Sequence, residues 1–181
     1  MRAAQFSRFG GPEVLEIVGL PDPHSGPAEI RIRVRAAGIN ASDWKKRQGL
    51  MDHQLPQTLG YEAAGVVDEI GDEVSGVAVG DRVFGACPYG AAQAELAVLS
   101  YWAPIPDSLD YASAAAIPAA AETAARALDQ LGLTPGSTLL INGASGSVGG
   151  AAVQLAVERG VLVIGTGSPA THDALRYLGA R

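Results

Sequence analysis

The chain has 181 residues, 48% of them apolar and 18% charged, and a formal net charge of −6. That negative field opposes binding to nucleic acid and to anionic membranes, and nowhere is there the run of roughly eighteen apolar residues that a membrane span needs. The N-terminus M-R-A-A-Q-F-S-R-F-G lacks the apolar core of a signal peptide, and the single Cys87 excludes an internal disulfide, so a cytoplasmic globular protein is expected.

The first hundred residues read as short strands broken by Gly and Pro, with no long helical stretch. The clearest strand is Glu29 to Ala37, where Ile30, Ile32, Val34 and Ala36 alternate with Arg31, Arg33 and Arg35. This period of two predicts a buried apolar face and three arginines in water. Further strands are predicted at Ala3 to Phe6, Leu15 to Val18, Ala63 to Ile70, Arg82 to Gly85 and Ala94 to Leu99, separated by turn clusters such as Phe9-Gly10-Gly11-Pro12. Many short strands predict a β-rich barrel for residues 1–110. Cys87, His24, His53 and His172 lack ligand-like spacing, so no metal site is predicted.

From Asp110 the composition turns alanine-rich, and Ala112 to Leu128 is predicted as two helices broken at Pro118. Gly132 and Thr134-Pro135-Gly136-Ser137 then mark a helix end and a turn. Residues 111–181 continue as strand Thr138 to Asn142, helix Ser147 to Arg159, strand Val161 to Thr166 and a further helix, an α/β Rossmann-type βαβ unit. Leu139, Leu140 and Ile141 are continuously apolar, which predicts a strand covered on both faces.

Between that strand and its helix lies N-G-A-S-G-S-V-G, Asn142 to Gly149. A glycine turn at a strand-to-helix junction lets backbone approach a pyrophosphate, while the helix N-terminus offers unpaired N–H groups to it. Asn142, Ala144, Ser145, Gly146, Ser147, Val148 and Gly149 are therefore predicted to bind a dinucleotide, with Ala144 in place of the first glycine of G-x-G-x-x-G. NAD sites carry an acidic residue at the end of the second strand; this chain has Gly167 there, followed by Ser168. Room for a 2′-phosphate, with Ser168 as donor and His172 and Arg176 as nearby cations, predicts NADP(H) as the cofactor.

Six stretches in order carry a wider likeness: M-R-A-A with F-G-G-P-E-V-L, A-A-G-I-N-A-S-D, L-G-Y-E-A-A-G-V-V, V-G-D-R-V-F-G, E-T-A-A-R-A-L and A-S-G-S-V-G. The chain resembles the medium-chain dehydrogenase/reductase superfamily, within it the zinc-independent quinone oxidoreductase branch. The resemblance implies a GroES-like barrel, then a Rossmann domain, with the active site in the cleft between. Zinc-bearing relatives place a cysteine at Asn40, a histidine at Tyr61 and a second cysteine near Ala119; none is present, though Glu62 remains. What the resemblance implies is NADPH-dependent hydride transfer to a small electrophile, a quinone or an α,β-unsaturated carbonyl. Asn40 and Tyr61 would be the catalytic donors, Asp43, Trp44 and Lys45 the pocket rim, and Thr123 a contact to the nicotinamide. Read on its own, Lys45-Lys46-Arg47 is a solvated basic run.

The chain stops at Leu178-Gly179-Ala180-Arg181, after two of the six sheet strands the resemblance implies, so an incomplete form is expected. Relatives dimerise through a missing strand, which implies a homodimer for a full-length form. Two other functions stay open: a non-catalytic NADP(H)-binding protein and an enoyl-thioester reductase.

Overall fold

Alternation of branched apolar residues with polar ones makes Ile30–Ala37 the organising strand of the N-terminal part, with Ile30 and Ile32 fully buried. The computed structural model describes residues Met1–Arg181, which form two units, Met1–Pro118 and Ala119–Arg181. In the first unit the strands are β1 (Arg2–Phe6), β2 (Glu16–Gly19), β3 (Ile30–Ala37), β4 (Gln57–Thr58), β5 (Glu62–Ile70), β6 (Arg82–Ala86), β7 (Leu96–Leu99) and β8 (Tyr101–Pro104); its helices are α1 (Ala41–Arg47) and α2 (Tyr111–Ala115). Then follow α3 (Pro118–Gln130), β9 (Thr138–Ile141), α4 (Ser147–Glu158), β10 (Leu162–Gly165) and α5 (His172–Tyr177).

The strands of the first unit lie in two open antiparallel sheets, β7-β3-β5-β6-β8 and β2-β1-β4, not in a barrel closed by continuous pairing. They meet at the bridge Ala3↔Ala94 and at the backbone bonds Ala4 N–H to Gln93 O (2.9 Å) and Glu95 N–H to Arg2 O (3.0 Å). Residues 94–95, read as strand, serve this junction, and β7 starts only at Leu96. The main core gathers Ile30, Ile32, Val67, Val83, Cys87 and Leu99. Gly65 is required in β5, because a Cβ there would fall 2.2 Å from Arg33 O.

Two expectations fail here. Arg31 does not face water: its side chain, 14% exposed, is paired with Asp68 (2.9 Å) and Glu69 (2.7 Å), and only Arg33 and Arg35 of the stripe are exposed. Buried cationic stems are tolerated where carboxylates meet them, and Asp68 beside Arg31 raises the guanidinium pKa further. The boundary falls after Pro118 rather than after Asp110, because Ala114 and Ala115 of α2 pack with Ala64 and Ile105 of the β unit. Pro118 breaks the alanine-rich segment as predicted, as the first residue of α3, where its missing N–H costs no helical bond.

In the second unit β9 and β10 are parallel, Leu139 opposite Val163 and Ile141 opposite Gly165, with α4 crossing between them. Leu128, Ala144, Val153, Ala156, Val163 and Leu175 form its core. The predicted two-sided burial of β9 is not observed: burial alternates, and Leu140, Leu162 and Ile164 are 63%, 41% and 46% exposed. One sheet face packs on α4 and the other carries those three side chains. No helix is long and apolar enough to cross a membrane.

Candidate functional site

In the first unit the site residues lie where β3 runs into α1 and where β4 turns into β5. Asn40 is extended (φ −120°, ψ 164°) and caps α1, with Asp43 at the third helical position completing a capping box. Asp43 Oδ2 accepts the Asn40 N–H at 2.7 Å, and its Oδ1 accepts the Gly60 N–H at 3.0 Å. One buried carboxylate, 2% exposed, therefore ties the α1 entry to the turn before Tyr61. Gly60 has φ +98°, a conformation that favours glycine.

Asn40 Nδ2 donates to Glu62 Oε1 at 2.7 Å, and Glu62 is 2% exposed. The Glu62 side chain lies across Gly38, where a Cβ would fall 2.1 Å from Oε1 and 2.4 Å from Cγ. The Gly38 N–H also donates to Glu62 O at 3.0 Å. Tyr61 is half-buried, its carbonyl accepts the Cys87 N–H at 2.7 Å, and the Lys46 ammonium lies 4.9 Å from its ring centroid. Burial, with Glu29 and Glu62 adding negative potential, pushes the Cys87 thiol up to about 12 and removes it as a nucleophile.

The proposed pocket rim divides. Trp44 is 44% exposed with the Lys45 ammonium 5.7 Å from its ring centroid, and Lys45 is exposed. Asp43 reaches no rim, since its carboxylate is buried on two backbone N–H groups. The basic run is not simply solvated either. Arg47 is 9% exposed and donates to Gly10 O at 3.0 Å, and Lys46 packs over Tyr61.

In the second unit the glycine turn leaves β9 and enters α4. Gly143, which the pattern G-x-G-x-x-G passes over, takes the left-handed conformation (φ +72°). Ala144 can replace a glycine because it needs no such conformation: it is fully buried and its N–H donates to Thr166 O at 2.9 Å. Thr166 was also missed. Its hydroxyl accepts the Gly143 N–H (3.0 Å) and donates to Asn142 Oδ1 (2.7 Å), bracing the turn against the end of β10.

Gly146 caps α4 with no side chain to satisfy the first-turn N–H groups, and a Cβ there would meet nothing nearer than Gly143 O at 3.4 Å. Gly149 is a packing glycine: its Cβ would lie 2.4 Å from Gly143 O and 2.7 Å from the Ala144 Cα. Ser145, Gly146, Ser147 and Val148 are exposed around this helix end. An open turn under unpaired N–H groups fits a pyrophosphate.

After β10, Gly167 packs beside Thr171, Leu175 and Ser145, and its carbonyl lies 3.2 Å from His172 Nε2. Ser168 is exposed, its carbonyl accepting from the Thr171 N–H and hydroxyl. Arg176 is paired with Asp173 at 2.8 Å. No carboxylate stands between Gly165 and Ser168, which fits a ribose bearing a 2′-phosphate. Thr123 turns its hydroxyl to Ala119 O, one helical turn back, at 2.7 Å.

Residues 26–121 match the family described as the alcohol dehydrogenase GroES-like domain. A quinone oxidoreductase of Pseudomonas aeruginosa is 41% identical over 182 residues, covering 97% of this chain and 56% of that protein. Among solved structures, the quinone oxidoreductase of Coxiella burnetii superposes with a TM-score of 0.89 at 36% identity, over 100% of this chain and 61% of that one. The Escherichia coli quinone oxidoreductase complexed with NADPH gives 0.84 at 31% identity, over 99% and 57%. CurK enoyl reductase gives 0.88 at 28% identity, over 99% and 58%. The chain thus spans about half the length of its quinone oxidoreductase relatives.

Proposed function

Because the chain belongs to the medium-chain dehydrogenase/reductase superfamily, as the N-terminal portion of its quinone oxidoreductase branch, we propose that it serves NADPH-dependent reduction of a quinone or an α,β-unsaturated carbonyl without zinc. The glycine turn supports this reading most directly. Gly143, Gly146 and Gly149 divide among them the left-handed bend, the open approach and the close helix packing that a dinucleotide pyrophosphate requires. The likeness to a quinone oxidoreductase complexed with NADPH, together with Gly167 in place of a carboxylate, favours NADP(H) over NAD(H).

Reduced nicotinamide, when bound, supplies the hydride. The α4 N-terminus would hold the pyrophosphate, and the end of β10, which carries no carboxylate from Gly165 to Ser168, would take a 2′-phosphate without charge repulsion. Hydride addition to a conjugated carbonyl puts negative charge on its oxygen, and Asn40 donates a hydrogen bond to that oxygen. Tyr61 supplies a hydrogen bond or a proton to the same atom, its ring held by Lys46. The exposed indole of Trp44 offers a face on which a flat acceptor ring stacks. The Asn40 amide and the Tyr61 phenol stand in for a Lewis acid, which suits acceptors that spread their own charge.

Enoyl-thioester reduction is the second reading, favoured by the likeness to CurK enoyl reductase. NADPH oxidation by the 181-residue chain against a quinone panel and a crotonyl thioester separates the two. Tight NADPH binding with no turnover of any acceptor would instead make the chain a non-catalytic binding protein. Size-exclusion chromatography beside those assays reports whether it forms a homodimer.

A further inference from the structure

We infer that Glu62 is a positioning residue for Asn40: it fixes which group of the Asn40 amide is offered and makes this asparagine a hydrogen-bond donor. The inference rests on the role proposed above for Asn40. An asparagine amide is ambivalent, since a half-turn exchanges its carbonyl oxygen for its NH2 group. An ionised carboxylate only accepts. With Glu62 Oε1 at 2.7 Å from Asn40 Nδ2, the flipped amide would set two acceptor oxygens face to face with no hydrogen between them.

Glu62 cannot swing aside to relieve that clash. It is 2% exposed, begins β5 opposite Ala86 of β6, and lies on the bare Cα of Gly38. Asn40 is held as firmly through its backbone, because Asp43 takes its N–H and the Gly60 N–H together. The α1 entry and the turn before Tyr61 are thereby fixed to each other, and the amide has one orientation left. Nδ2 carries two hydrogens. Glu62 takes one, and the second points away from the carboxylate as the donor that Asn40 can present.

The test uses the isotope-labelled 181-residue chain. In the wild type, scalar coupling across the hydrogen bond from Asn40 Nδ2 to the Glu62 carboxyl carbon is expected. In Glu62→Ala that coupling is lost and the Asn40 side-chain amide exchanges with water about tenfold faster. NADPH oxidation then falls in kcat by about tenfold or more with KM for NADPH unchanged. Glu62→Gln keeps the shape but can turn its own NH2 toward a flipped Asn40, so Tm is expected to hold while kcat stays several-fold below wild type; a Glu62→Gln chain with wild-type kcat overturns the inference. Absence of the coupling in the wild type overturns the inference without any variant, so failure of Glu62→Ala to fold does not protect it. A folded Glu62→Ala chain with a lower Tm but unchanged Asn40 exchange also overturns it. If the wild type oxidises no NADPH with any acceptor, the functional reading fails, and the coupling still decides the positioning role.

Discussion

Asn40, which caps α1, and Glu62, which begins β5, lie 22 positions apart and are joined by a 2.7 Å hydrogen bond that lies over a glycine, Gly38, with no room for a side chain. Gly38 and Asn40, in the link from β3 to α1, and Glu62, at the start of β5, thus make one local geometry, and the backbone at Gly38 is part of it.

Gly38→Ala therefore acts through Glu62. Its φ is not in the left-handed range, so the effect is steric: the new Cβ pushes the carboxylate off its seat and away from Asn40. The expected loss is about 1–3 kcal/mol of stability, read from urea unfolding, with faster exchange of the Asn40 amide.

Asp43→Ala strands two backbone donors, the N–H groups of Asn40 and Gly60, at a buried position. Hydrogen bonds to a charged acceptor contribute about 1.5–3 kcal/mol each, and their joint loss is expected to lower stability by about 3 kcal/mol or more. Thermal and urea unfolding check this. Trp44→Ala, whose side chain is 44% exposed, is expected to change stability by about 0.5 kcal/mol or less.

The glycines of the cofactor turn separate by mechanism. In Gly149→Ala the new Cβ meets backbone atoms at 2.4 and 2.7 Å, so α4 must shift. Stability is expected to fall by about 1–3 kcal/mol, and NADPH affinity by about tenfold or more. In Gly146→Ala nothing lies within 3.4 Å and φ is −77°, so Tm is expected to hold while NADPH affinity drops, since the methyl occupies the phosphate approach. Calorimetric titration with NADPH beside melting curves distinguishes the two.

Cys87 should be silent to alkylating reagents in the native chain at pH 8, because burial holds its thiol pKa at about 12 against an ordinary 9.0. The sign of the linkage follows: the folded state keeps the proton where the unfolded chain loses it. Stability from this group is complete below pH 9.0 and declines as pH rises toward about 12. Urea unfolding between those pH values is expected to show the decline, and Cys87→Ala to flatten it.

Period-two alternation made β3 legible, and glycine and proline punctuation placed most other strands within a residue or two. Pro118 split the alanine-rich segment as its chemistry requires. β4 has only two residues, too few to show a period, and β8, Tyr-Trp-Ala-Pro, shows no alternation of apolar and polar residues. Arg31 was misread because alternation reports which face a residue is on, not whether Asp68 and Glu69 wait there to pair with it.

In the glycine turn, spacing located the element, since a strand, a glycine turn and a helix in that order restrict the backbone on their own. The same spacing hid Gly143 and Thr166, whose roles depend on a chain reversal bringing the end of β10 back to the turn.

By itself the sequence determined the β-rich unit, the βαβ unit after it and the glycine turn, because backbone propensity, hydrophobic period and glycine placement are local and additive. Only the tertiary structure decided that Asp43 is a buried brace, that Lys46 covers Tyr61 and that Glu62 grips Asn40 over Gly38. Those assignments turn on which distant segments exclude water together, and a carboxylate on a pocket rim reads in sequence like one buried on two N–H groups.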